Sequence, residues 1–167
     1  DHERKQFGVV ELINGYRRRG HLKANLDPLK LLDESGVPTL ELEYHRLSVA
    51  DLDTRFQTGN LFFGGAEASL SEILEVLEDT YCGSIGAEYM HISDEAEQMW
   101  VQQRMESARS RPSFSNGVKR RLLDRLIAAE GLEKYLGLKY PGTKRFGLEG
   151  GESAIPHLLA APFHTKG

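Results

Sequence analysis

The sequence holds a single cysteine, no apolar run near the length of a membrane span and no excess of positive charge. Each lack removes a class of protein. Cys82 has no second cysteine to pair with, which fits a reducing compartment. A bilayer-crossing helix needs about 20 consecutive apolar residues, and no stretch approaches that. The opening DHERKQFGVV is charged, without the apolar centre of a secretory leader, and it has no initiator Met, so it reads as the interior of a longer protein. A cytoplasmic protein without membrane contact is the expectation. Lys and Arg number 21 against 25 Asp and Glu, a formal net charge of −4. Nucleic-acid-binding domains are usually basic overall, so no nucleic-acid partner is expected.

Catalytic signatures are missing too. The 6 histidines show neither H-x-x-x-H nor H-E-x-x-H spacing, so they do not suggest a zinc site. There is no G-x-S-x-G elbow and no G-x-x-x-x-G-K-[ST] loop. GLEGG near the end is glycine-rich but does not match G-x-G-x-x-G. No internal repeat is visible.

What is present is helical periodicity. Hydrophobic residues make up 40% of 167, enough for a packed core, and 28% are charged. From about Lys5 to Arg19, Val9, Leu12, Ile13 and Tyr16 fall on one helical face. Arg17, Arg18 and Arg19 fill the last turn, where the helix dipole favours cations, and Gly20 follows as a helix stop. The next stretch, to about Leu47, contains two prolines and reads as an irregular connection. SVADLDTRF reads as a short helix capped by Ser48 or Asp51, and TGNLFFGG as a loop with Phe62 and Phe63 as buried anchors. In SLSEILEVLEDTYCG, Ser69 and Glu72 match a capping box, and Leu70, Ile73, Leu74, Leu77 and Tyr81 form an apolar stripe. IGAEYMHI reads as extended. A helix starting at Ser93 draws its apolar surface from Met99, Trp100, Val101 and Met105. A further helix begins after Ser115 and carries Val118, Leu122, Leu123, Leu126 and Ile127. The fold class expected is mainly α: an irregular helical assembly with long loops and at most short strands.

Two polar stretches bear on function. NGYRRRGHLKANLDPLK reads either as an anion-binding patch or as the polar end of an ordinary helix. KRFGLEGGES, residues 144–153, places two cations, an aromatic and a carboxylate among glycines just before an apolar segment. It reads either as a turn feeding a helix or as a close-approach loop whose following N–H groups meet an anion.

LINGYRRRGHLKANLDPL, YCGSIGAEYMHISDEAEQMWVQQRMES and AAEGLEKYLGLKYPGTKRFGLEGGESAIP, in this order, resemble the decarboxylating component of 2-oxoglutarate dehydrogenase. The resemblance covers roughly residues 8–158, has a bacterial flavour, and is confined to the family's N-terminal portion. It implies residues 1–141 as a helical region and 142–167 as the truncated start of the α/β domain that binds thiamine diphosphate. The family's HRGRLN segment and its G-D-G…N motif are not in this sequence. The tail HLLAAPFHTKG also leaves the family pattern.

The resemblance implies an enzyme that uses thiamine diphosphate and magnesium and passes a succinyl group to the lipoyl arm of a dihydrolipoyl succinyltransferase. It further implies a homodimer, and a fragment that by itself binds neither cofactor nor metal and is inactive. Lys144, Arg145, Phe146 and Glu149 are then candidates for supporting the active site. The arginine triplet reads as helix end and loop, with structural or interface work. From a different class, the alternative is a stand-alone helical module that docks a protein partner.

Overall fold

A computed structural model describes residues 2–27, 29, 31, 36–63 and 65–142. The chain divides into two compact units, Asp1–Pro112 and Ser113–Gly167. The first contains α1 (His2–Arg19), β1 (Arg55–Gln57), β2 (Glu67–Ser69), α2 (Leu70–Tyr81) and α3 (Glu95–Ser107), with short 3-10 turns between α1 and β1. The second contains α4 (Asn116–Lys139). The architecture is mainly α, as the periodicity predicts. Among the described residues no helix is long and apolar enough to cross a membrane.

The core of the first unit lies between α1 and α2. Val9, Leu12, Ile13 and Tyr16 of α1 are buried against Leu70, Ile73, Val76, Leu77 and Tyr81 of α2. Fully burying such a side chain contributes about 1.5–3 kcal/mol, so this seam anchors the unit. α2 starts where the sequence predicts: Ser69 Oγ accepts from Glu72 N, and the Glu72 carboxylate accepts from Ser69 N at 2.8 Å. Leu77 is fully buried, whereas Leu74 is only half-buried, because the stripe turns toward Val76 and Thr80.

β1 and β2 pair antiparallel with Phe56 opposite Ala68, both facing the core. The outer edge of β1 is closed by a side chain of α1. Gln6 donates to Gln57 O at 3.0 Å and accepts from Gln57 N at 2.8 Å, so its amide plays the part of a third strand. Thr58 Oγ1 donates to Gly65 O at 2.7 Å and fastens the loop between the strands.

Two glycines of α1 let the irregular connection lie directly on the helix. A Cβ at Gly15 would stand 2.6 Å from Thr39 O, and one at Gly8 would run into His45 O. Gly20 serves a related purpose. It opens a 3-10 turn, Gly20–Lys23, and a Cβ there would meet Tyr81 Cβ at 2.5 Å. Close approach to α2, rather than a left-handed helix stop, is the reason for glycine at this position.

Several local readings change. SVADLDTRF yields only the 3-10 turn Val49–Asp51, capped by Ser48, and then enters β1. IGAEYMHI forms no strand, and the N-cap of α3 is Asp94, not Ser93. The largest change is in α3. Met99 and Trp100 are exposed, Val101 and Met105 are half-buried, and the buried residues are Gln102 and Glu106. α4 buries none of its residues.

Candidate functional site

The strongest concentration of polar chemistry among the described residues lies under α3, and it begins with the first arginine of the triplet. Arg18 and Arg19 are exposed at the end of α1, but Arg17 turns inward and is 2% exposed. Its Nε donates to Glu106 Oε1 at 2.8 Å and its Nη2 to Glu106 Oε2 at 3.1 Å, a two-pronged pair. Two more guanidinium bonds go to Asn60, with Nη1 donating to Oδ1 at 2.8 Å and Nη2 to the backbone O at 3.1 Å.

Glu106, 1% exposed, accepts two further bonds. Tyr81 Oη donates to Oε1 at 2.6 Å, and Phe62 N donates to Oε2 at 2.9 Å. With the Tyr81 proton committed to the carboxylate, Tyr89 Oη is left to donate to Tyr81 Oη at 2.9 Å. Gln102 Nε2 adds a bond to Asn60 O at 3.3 Å.

Burial works to lower the Arg17 pKa, but the hydrogen bonds and charge of Glu106 outweigh it and hold the guanidinium above its ordinary value. Burial, then the Glu106 charge, pushes the Tyr81 phenol well up. Burial raises Tyr89 too, partly offset by its hydrogen bond to Tyr81. Each group is thus fixed in one protonation state near neutral pH. The Glu106 carboxylate already has four donors, so no lone-pair position is open to a substrate. This arrangement holds elements together; it does not transfer protons.

Sequence reasoning gave Arg17 structural or interface work but missed its partner. Glu106 lies 89 positions away, and no local pattern announces the pair. The available signal was a carboxylate and an amide, Glu106 and Gln102, four apart on α3. Lys144, Arg145, Phe146 and Glu149 lie outside the described residues. So does the segment from 143 onward that was expected to open a cofactor-binding domain.

The sequence itself has clear relatives. Over 156 residues, 93% of this chain, it is 55% identical to the 2-oxoglutarate dehydrogenase E1 component of Azotobacter vinelandii. The chain is a homologue of the N-terminal portion of that enzyme component. The 2-oxoglutarate dehydrogenase E1 components of Cupriavidus necator and Haemophilus influenzae are 48% and 44% identical over 93% and 97% of the chain. The chain spans only 16–18% of the length of these E1 components. No family profile matches it. Among the described residues no group of three or more His, Cys, Asp or Glu side chains is placed to hold a metal ion.

Proposed function

We propose that this chain is the helical N-terminal region of a cytoplasmic 2-oxoglutarate dehydrogenase E1 component. In this reading residues 1–141 form the helical region and 142–167 begin the cofactor-binding domain. The complete polypeptide is a homodimer that decarboxylates 2-oxoglutarate with thiamine diphosphate and magnesium. It hands the succinyl group to the lipoyl arm of a dihydrolipoyl succinyltransferase. The single observation that carries this reading is 55% identity sustained over 93% of the chain to a protein of that name. Identity at that level over so long a stretch supports a common fold and a common place in the larger protein.

The part played by these residues is structural. α1, the β1–β2 hairpin, α2 and α3 form a unit with its own apolar seam and a buried, hydrogen-bonded ion pair. Lys144, Arg145, Phe146 and Glu149 are proposed to support the active site from the domain that follows, with Phe146 packing and Arg145 facing an anion or the later domain.

The complete polypeptide, combined with succinyltransferase and dihydrolipoyl dehydrogenase and supplied with thiamine diphosphate, magnesium and coenzyme A as succinyl acceptor, should reduce NAD⁺ in the presence of 2-oxoglutarate. No such activity would refute the proposal. Arg145→Ala in that assay should lower turnover while thermal stability is kept. Lost stability with unchanged kinetics would make the 144–149 cluster structural.

A further inference from the structure

We propose that α3 is a polar latch, held closed by the Arg17–Glu106 pair, that opens as a unit while the α1–α2 core stays folded. This goes beyond the enzymatic reading and does not depend on it.

The three helices of the first unit are attached in different ways. α1 and α2 bury Val9, Leu12, Ile13, Tyr16, Leu70, Ile73, Val76, Leu77 and Tyr81. α3 fully buries no apolar side chain: its buried residues are Gln102 and Glu106, and its apolar contact is limited to Val101 and Met105, half-buried against the core. Further polar anchors flank these. Gln98 Nε2 donates to Met90 O and Ile92 O, both at 3.2 Å. Just past its end, Arg109 Nη1 reaches Glu75 and Asp79 of α2, and Ser110 Oγ donates to Thr80 O at 2.7 Å.

Two physical consequences follow. Hydrogen bonds fail within a few tenths of an ångström beyond their normal range, so a helix held this way is either seated or released. A buried ion pair also regains hydration when it separates, which offsets much of the attraction lost, whereas separating apolar surfaces brings no such return. Opening α3 therefore costs less than parting α1 from α2. This is the condition for a subglobal opening. α3 is the last helix of the first unit, which ends at Pro112.

The closed state alone contains the pair, so removing either partner should release α3 before the α1–α2 core, although Glu106 also accepts from Tyr81 and Phe62 N and Arg17 also donates to Asn60. That holds for Arg17 even though it sits on α1. Native-state hydrogen exchange of the protein, read on peptides from α1, α2 and α3, tests this. In the unsubstituted protein α3 amides should exchange through an opening that α2 amides do not share. Glu106→Gln and Arg17→Met should each raise α3 exchange by about a hundredfold or more, leaving α2 unchanged. Exchange of α3 and α2 in step in the unsubstituted protein would overturn the proposal, even if neither variant folds. Variants that speed α2 as much as α3, or that leave α3 unmoved, would overturn it too.

Discussion

Replacing Leu77 by alanine probes the seam on which the first unit depends. Leu77 is fully buried on α2, between Ile73 and Tyr81 on its own face and the apolar face of α1. The substitution removes three carbons, worth about 2.4 kcal/mol at roughly 0.8 kcal/mol per buried methylene. The surrounding side chains relax only partly, and the cavity left behind brings the cost to about 3–4 kcal/mol. For a unit of this size each kcal/mol is about 4–8 °C in Tm, so a fall of at least about 12 °C is expected. Glu78, the next residue, is exposed and its Lys23 partner stands 3.4 Å away with both side chains about half exposed. Glu78→Ala should cost no more than about 1 kcal/mol. Leu74→Ala, at a half-buried position, should fall between them. Thermal unfolding followed by far-UV circular dichroism gives the three values. Equal shifts at 77 and 78 would refute the assigned phase of α2.

Two glycines should respond to alanine with opposite signs. Gly15→Ala forces a Cβ against Thr39 O and should destabilise, whereas Gly131 in α4 has open space and Gly131→Ala should stabilise that helix by about 0.5–1 kcal/mol. A circular-dichroism melt of each variant decides both. Burial pushes the Cys82 thiol up to about 11 from an ordinary 9.0, with Lys23 pulling it down and Glu78 raising it again. The native thiol holds its proton more tightly than the unfolded one. Its contribution to stability is therefore complete below about pH 9 and is lost as pH rises through about 11. At about pH 8 iodoacetamide should modify native Cys82 roughly a hundredfold more slowly than the denatured chain, and equal rates would contradict the burial argument.

How much was legible in the sequence follows from how far apart the causes lie. The α2 capping box is local, since Ser69 and Glu72 satisfy each other's backbone within one turn. The α1 face is equally legible, because apolar spacing and burial coincide at Val9, Leu12, Ile13 and Tyr16. α3 defeats the same procedure. Its core-facing positions are Gln102 and Glu106, so a search for an apolar stripe settles on Met99 and Trp100, which face outward. Arg17 shows the limit most sharply. It is one of three adjacent arginines with the same local environment, and only a carboxylate 89 positions away distinguishes it. Gly20 was legible as a glycine required by geometry, but the requirement comes from Tyr81 across the seam rather than from the helix end.

The central claim is that this chain takes the place of the N-terminal helical region in a 2-oxoglutarate dehydrogenase E1 component. A chimera tests it most directly. In the Azotobacter vinelandii E1 component the 156-residue block that aligns with this chain is replaced by the corresponding residues of this chain. Decarboxylation of 2-oxoglutarate is then measured beside the unaltered enzyme. On the proposed scaffold role of this stretch, a folded chimera with turnover within about tenfold of the parent is expected. A chimera that folds and binds thiamine diphosphate but does not turn over 2-oxoglutarate would contradict it.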